Sequence, residues 1–474
     1  MDEILPEVFE SALLRHFSFQ PTAGQKRLFY AFARMVFSSK PRCALMIKGY
    51  AGTGKTTTVS AMVRALQEIG KNVVLLAPTG RAAKVLSNYS GRPASTIHKQ
   101  IYFRKTDRNG NVWFELKENE LENTVFFVDE ASMIGTERFQ MTRDDLATGD
   151  LLEDLVSHIF SGERCSMVLI GDGAQLPPVG SNKSPALDIA FLRDEFSLNI
   201  AEVELNEVIR QQGGSGILEN ATALRELIIK GVPQYPVIQT AGFTDINKVE
   251  TDLQPIVEAG FRNYGKDGTI IITRSNKNAI KYNQQVRIRI LGNEDEINSG
   301  DRMMVLKNNY FWLEEGSSAS AGFIANGDVI IIERIRKFED RGSFRFCTAV
   351  VTLADYPEIP EMEVILLCST IWEESAGMSY EKMKELWTTI AQDYQDLDSV
   401  PKIRKAVQAD PYYNALHVKF AYAITCHKAQ GGQWPMVVVD QGYVTEEMHG
   451  VELNRWMYTA FTRAQKELYL VGFS

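Results

Sequence analysis

The run Gly49-Tyr50-Ala51-Gly52-Thr53-Gly54-Lys55-Thr56 sets the tightest limit on how this chain can fold. A G-x-x-x-x-G-K-[ST] loop works only where a β-strand turns into an α-helix, because its backbone N–H groups wrap a phosphate at the helix N-terminus. The flanks have that character: residues 44–47 are Ala-Leu-Met-Ile, and residues 57–69 read as a helix. The glycines let the backbone close on a β-phosphate, Lys55 reaches the β- and γ-phosphates, and the Thr56 hydroxyl ligates Mg²⁺. Gly52, Thr53, Gly54, Lys55, Thr56 and Thr57 are the expected nucleotide-binding residues.

Short apolar runs at 73–76, 125–128, 167–170, 270–272, 437–439 and 468–471 also read as buried parallel strands, alternating with helical stretches. That rhythm predicts α/β layers with crossover connections. The runs form two groups, before and after about residue 195, which predicts two lobes. The run at 125–128 ends in Asp129-Glu130, the second half that a phosphate loop requires. Asp129 is expected to hold the Mg²⁺ shell and Glu130 to orient or deprotonate the attacking water.

Two segments break the rhythm. In 101–117, IYFRKT and VWFELK flank Asp107-Arg108-Asn109-Gly110, and the Asn-Gly pair predicts a β-hairpin. In 336–417, strand-like RFCTAVVTL and EMEVILLCS follow VIIIERI through a turn at 340–342, which predicts a small antiparallel barrel. Attached to it, Tyr380, Met383, Trp387, Ile390 and Tyr394 recur every three or four positions and form one helix face, read as core-facing.

The hydrophobic fraction of 45% and charged fraction of 23% are those of an ordinary globular protein. Five scattered cysteines form no CxxC pair, which suggests neither a zinc cage nor a disulfide framework and fits a reducing cytoplasm. The acidic N-terminus and the lack of a long apolar window predict neither export nor a membrane span. A net charge of −9 argues against a protein that coats polyanions with its whole surface. A narrow groove of cations and backbone donors is compatible with it.

Further motifs separate the many users of such a loop. Pro21-Thr22-Ala23-Gly24-Gln25 precedes an amphipathic helix, and a glutamine amide both donates to and accepts from an adenine edge. Downstream come Ala77-Pro78-Thr79-Gly80-Arg81-Ala82-Ala83-Lys84, Ser95-Thr96-Ile97-His98 and Gly171-Asp172-Gly173-Ala174-Gln175-Leu176-Pro177-Pro178. Then follow Leu205-Asn206-Glu207-Val208-Ile209-Arg210-Gln211, Thr425-Cys426-His427-Lys428-Ala429-Gln430-Gly431 and Tyr458-Thr459-Ala460-Phe461-Thr462-Arg463-Ala464. The ordered set, from Gln25 to Arg463, resembles the superfamily 1B DNA helicases of the RecD/Dda type.

The resemblance implies an α/β fold of two RecA-like parallel-sheet lobes with an inserted β-hairpin pin and an inserted SH3-like β-barrel carrying a helical tower. The expected boundaries are 1–195 for the first lobe, 196–335 and 418–474 for the second, and 336–417 for the barrel. It implies that Gln25 contacts adenine, Gln175 senses the γ-phosphate, and Arg210 and Arg463 reach that phosphate from the second lobe. A guanidinium delivered across a cleft neutralises charge on the transferring phosphoryl. With both arginines on one chain, a monomer suffices. Residues 300–304 and 326–328 resemble the family's approach to the barrel.

By the same resemblance Pro78, Thr79, Thr96 and His98 in the first lobe, and Thr425 and His427 in the second, line a groove for single-stranded DNA. Hydroxyls, imidazoles and loop N–H groups suit a backbone that is gripped without being read. Tyr102, Phe103, Trp113 and Phe114 are candidates for base stacking. The implied activity is ATP-dependent travel on single-stranded DNA, 5′-to-3′, with unwinding at junctions. An RNA helicase or remodeller on the same scaffold, and a non-hydrolysing clamp, remain as alternatives. One departure stands out: Gly431-Gly432-Gln433-Trp434 has an amide where the family has an acidic residue toward the ribose, which bears on sugar preference.

Overall fold

The computed structural model describes residues 6–106, 112–136, 150–207, 214–250, 252–313, 323–375 and 377–473. Its first sheet has six parallel strands in the order Ser95–Thr96, Asn72–Ala77, Thr124–Val128, Ser166–Gly171, Cys43–Gly49 and Asn199–Leu205. The four apolar runs expected before residue 195 all lie in it. Alternate residues of the central strands feed separate cores. Leu45, Ile47, Phe127, Val168 and Ile170 pack against the helices Ala23–Val36 and Lys55–Glu68. Met46, Phe126, Val128, Met167 and Leu169 pack against the helix Leu151–Ser161 on the other face. Burial on both faces is why these strands read as unbroken apolar runs.

The second sheet has five parallel strands in the order Ala423–Thr425, Thr269–Thr273, Trp434–Asp440, Ala464–Val471 and Ile246–Lys248. It contains the runs expected at 270–272, 437–439 and 468–471. The strand Asn199–Leu205 lies beyond the expected boundary at 195 yet pairs with Cys43–Gly49, so the first sheet extends to Leu205. Its NIAEVEL sequence buries only Ile200, Val203 and Leu205 and leaves Ala201, Glu202 and Glu204 exposed, as an incompletely covered edge strand does. An apolar run does not signal such a strand.

A closed barrel is formed by Arg302–Val305, Val329–Arg341, Phe344–Leu353, Met362–Leu367 and Leu416–Phe420. It therefore begins at Arg302 and not at 336. Residues 302–304 belong to its first strand, and Val329–Arg341 runs through the expected boundary without a break. The turn lies at Gly342 and Ser343 and overlaps the expected 340–342 only at Gly342, whose φ of +58° is a conformation glycine adopts without a steric penalty. Two helices, Tyr380–Ala391 and Val400–Gln408, seat Leu386, Ile390 and Val407 on Phe344, Phe346 and Leu367 of the barrel. Of the expected stripe, Ile390 is fully buried and Trp387 and Tyr394 are partly buried against this cluster, while Tyr380 is 62% exposed.

The hairpin pairs Tyr102–Thr106 with Val112–Leu116 in antiparallel register, Thr106 opposite Val112. Residues 107–111 and the side chains of Trp113 and Phe114 lie outside the described residues. Tyr102 is buried and donates its hydroxyl to Asp154 Oδ2 (2.7 Å), a structural use, whereas Phe103 is 52% exposed. The barrel also leans on the first lobe: Lys84 Nζ meets Asp355 Oδ1 at 3.0 Å, and a Cβ at Gly80 would collide with Asp328 Oδ1. No helix among the described residues is long and apolar enough to cross a membrane.

Candidate nucleotide and strand sites

The loop between Cys43–Gly49 and Lys55–Glu68 turns on two left-handed glycines, Gly52 at φ +79° and Gly54 at φ +80°. Gly54 is the N-cap of the helix and offers no side chain to its first N–H groups, so those donors stay available for an anion. The Lys55 ammonium donates to the carbonyls of Gly49 and Tyr50, the latter at 2.9 Å. Gly49 makes this possible, because a Cβ there would stand 2.9 Å from Lys55 Cγ. Thr56 is exposed, Thr57 half-buried, and Thr53 is buried with its hydroxyl donating to Tyr50 O at 2.8 Å.

Gln25 is fully buried beside this loop, and both ends of its amide are engaged. Oε1 accepts from Thr22 N at 3.0 Å as half of a capping box, and Nε2 reaches Thr53 O at 3.4 Å. The capping box is legible as Thr22-x-x-Gln25 and gives the glutamine a structural task beside the adenine contact expected of it.

Asp129 and Glu130 leave the strand Thr124–Val128 toward the loop. Asp129 accepts from Tyr89 Oη at 2.6 Å and from Glu130 N at 2.8 Å. Glu130 adopts φ +52°, a left-handed backbone that side chains other than glycine rarely take and that costs about 1–3 kcal/mol. Burial raises both carboxyls above the usual range, and the Lys55 charge opposes that shift at each. Strain and desolvation at one acidic pair are typical of a site arranged for chemistry.

The second lobe closes over this pair through the helix Val451–Phe461 and the residues after it. Arg463 is 3% exposed, with Nη1 3.8 Å from Glu130 Oε1 and Nε donating to Thr459 O at 3.0 Å. Tyr458 is buried across the cleft: Ala51 N donates to its hydroxyl at 2.9 Å, and that hydroxyl donates to Asp172 Oδ2 at 2.6 Å. Leu176 N donates to Thr459 Oγ1 (2.8 Å), Arg455 Nη1 to Gln175 O (2.9 Å), and Gln430 Nε2 to Leu176 O (2.7 Å). The segment carrying Gln175 is thus held from the second lobe at several points. Gln175 itself is buried, and among the described residues its Oε1 has no hydrogen-bond partner. Arg210 lies outside the described residues.

A nucleotide with a divalent cation fits these groups. The Thr56 hydroxyl and the Asp129 carboxylate are few and hard ligands, as Mg²⁺ uses when phosphates and water complete its octahedron. Among the described residues no cluster of three or more His, Cys, Asp or Glu side chains offers an all-protein metal cage. Gln433 points elsewhere, accepting from Gln465 Nε2 at 3.1 Å on the exposed surface.

The strand-side residues sit at the C-terminal ends of strands in both sheets. Thr79 caps the helix Gly80–Ser90 by accepting from Ala82 N at 3.2 Å, with half-buried Pro78 just before it. Thr96, paired beside Ala77, caps Ile97–Ile101 by accepting from Lys99 N at 3.3 Å. His98 stands 5.8 Å from the Tyr102 ring, and burial lowers its pKa to about 4, so it is neutral at ordinary pH. In the second lobe Thr425 lies beside Thr273 and starts Cys426–Ala429 without a capping bond, and His427 is exposed. The lobes meet here too: the Arg81 guanidinium stacks 3.9 Å over the Trp434 ring, and Gly431 lies against Ala82 and Thr79.

Tyr89, Arg455 and the Arg81–Trp434 stack escaped the sequence reading. Tyr458 and Arg81 stood inside quoted motifs, so position gave a hint; Tyr89 gave none, since its partner is distant in sequence.

A family model described as an AAA domain matches residues 22–231, and one described as a UvrD-like helicase C-terminal domain matches residues 420–471. The ATP-dependent DNA helicase dda of Enterobacteria phage T4 is 32% identical over 208 residues, covering 43% of this chain and 42% of that protein. The ATP-dependent RecD2 DNA helicase of Deinococcus radiodurans is 31% identical over 183 residues, covering 38% of this chain and 21% of that protein. The chain therefore matches less than half the length of either relative. A solved Pif1 helicase from Bacteroides aligns over 96% of this chain and 93% of its own at 14% identity, with a TM-score of 0.46. The first family model spans Lys55, Asp129, Glu130 and Gln175, and the second spans Thr425, His427 and Arg463. With matches in this order on the two lobes, the chain is similar to the superfamily 1B helicases of the RecD/Dda type.

Proposed function

We propose that this protein is an ATP-driven DNA helicase that travels 5′-to-3′ on single-stranded DNA and unwinds duplex at junctions, working as a monomer. The observation that carries the reading is Arg463 of one lobe standing 3.8 Å from Glu130 of the other, beside the Lys55 loop. A triphosphate bound by the first lobe is completed by a cation from the second, so nucleotide state is coupled to lobe closure. Lys55 and the uncapped N–H groups of its helix hold the β- and γ-phosphates. Glu130 orients water and takes its proton, Gln175 contacts the γ-phosphate, Gln25 meets the adenine, and Arg463, with Arg210, neutralises charge on the phosphoryl group. Bound Mg²⁺, held by Thr56 and Asp129, supplies further charge neutralisation.

Pro78, Thr79, Thr96 and His98 grip the strand on one lobe and Thr425 and His427 on the other, in alternation as the cleft opens and closes. The hairpin at 101–117 serves as the separating pin, and the barrel with its two helices as the SH3-like domain and tower. DNA is preferred over RNA because two of the relatives, dda and RecD2, are described as DNA helicases; direction follows from the family resemblance. Duplexes with a 5′ or a 3′ single-stranded tail test the reading, with Lys55→Ala as control. Unwinding of the 5′-tailed duplex alone is expected, together with loss of both hydrolysis and unwinding in the variant. Unwinding only from a 3′ tail would reverse the assigned direction, and full unwinding by Lys55→Ala would remove the engine.

A further inference from the structure

An open pocket lies between the second sheet and the barrel, and of the expected strand residues only Thr425 is among those that line it. Its floor is apolar, with Ile371, Phe420 and Ile424, and Thr425 stands on its rim. One wall is Trp372, which is 43% exposed and meets the Phe420 ring edge-on at 6.2 Å. Exposing that much of a tryptophan in a concave site offers a planar apolar surface for another ring.

The charge around the pocket is unusual for this chain. Lys419 and Lys428 both line it. Lys419 Nζ donates to Ser375 O and Lys428 Nζ to Asn326 Oδ1, each at 2.6 Å, so both rest on neutral acceptors. The Glu373 carboxylate acts on Lys419 but is itself paired with Lys382. Burial, with Lys419 adding to it, pulls Lys428 down to about 8. Two neighbouring, half-buried ammonium groups with only this already paired carboxylate to balance them are costly, and an anion arriving there lowers the cost.

We propose that this pocket takes one nucleobase of the bound strand, stacked on Trp372, while Lys419 and Lys428 hold the adjoining backbone phosphate. A flat apolar wall beside paired cations matches a nucleotide unit of a single strand, which joins a planar ring to an anion. Every base has a π-face, so the foothold is tolerant of sequence. It adds a base contact on the barrel side of the second lobe, where the hydroxyl of Thr425 touches only backbone. The proposal rests on the strand-binding reading above.

The test uses the full chain and fluorescein-labelled oligothymidylate, with a single abasic site walked along it. Trp372→Ala is expected to weaken binding about 5- to 100-fold, the range for losing one base–aromatic stack, and Trp372→Phe to keep most of the affinity. One abasic position should weaken the wild type by a similar factor and leave Trp372→Ala unaffected. Lys428→Ala should lower the slope of log affinity against log salt by about 1. Unchanged binding by Trp372→Ala, or abasic losses that add to it at every position, would overturn the pocket while leaving the motor reading standing. A wild type that binds no oligonucleotide would overturn both. Retained affinity in Trp372→Phe separates a lost stack from a misfolded chain.

Discussion

On the phosphate side of the cleft, buried side chains of the second lobe hold the first at fixed atoms: Tyr458 at Ala51 and Asp172, Thr459 and Gln430 at Leu176, Arg463 near Glu130. On the strand side the same lobes offer helix-capping threonines, an exposed histidine and one stacked Arg81–Trp434 pair. The contrast matches what the proposed function asks of each side. Phosphoryl transfer depends on charges held in place before the reaction, in a site shielded from water. A strand that is to be moved must be held by contacts that repeat along a backbone and release it.

This contrast can be broken by substitution. Arg463→Ala is expected to cut strand-stimulated hydrolysis by about 10³–10⁵ while nucleotide still binds. A loss of only a few-fold in phosphate release would mean that the guanidinium so near Glu130 is a structural cation. Glu130→Gln should lower hydrolysis by about 10²–10⁴ and stabilise the fold. The sign follows from burial: a carboxyl raised above its unfolded value opposes folding once ionised, so its cost grows as pH climbs through the folded pKa. Thermal unfolding should show the variant above the wild type at neutral pH, with the gap closing toward about pH 4, where the unfolded carboxyl is also protonated. A gap that widens in acid contradicts this account.

Tyr458→Phe keeps the ring and removes both hydrogen bonds. Strand-stimulated turnover should fall about 10- to 100-fold, the size of two bonds of which one is to a carboxylate. Hydrogen exchange of the helix Val451–Phe461 should then lose its dependence on nucleotide, and an unchanged nucleotide response would make the tyrosine mere packing. The smallest effects belong to the strand side. Thr96→Ala removes a helix cap and should cost about 1 kcal/mol of stability. Thr425→Ala removes none and should leave unfolding unchanged while weakening strand binding several-fold. Equal destabilisation by the two would erase the distinction between a capping and a free hydroxyl.

The sheet strands were legible where burial on both faces forced an apolar run, as at 44–47, 125–128 and 437–439. The strand Asn199–Leu205 was not, because an incompletely covered edge strand leaves residues such as Glu202 and Glu204 exposed and so breaks the apolar run. The barrel's start at Arg302 was hidden for a related reason: Arg302–Val305 pairs with Leu416–Phe420, more than a hundred residues away in sequence. The phosphate loop and Asp129-Glu130 announced themselves because their chemistry is local, a turn and a strand end with fixed residue types.

Local chemistry is also what the sequence determined alone: a parallel α/β scaffold, a phosphate loop and an acidic strand end. Only the tertiary structure decided that Tyr458 bridges the loop to Asp172, that Tyr89 holds Asp129, that Arg81 stacks on Trp434, and that Trp372 faces a pocket beside two half-buried lysines. Each of these joins residues from different strands or lobes. No spacing along a chain encodes a distance across a cleft, because the packing of whole layers sets it.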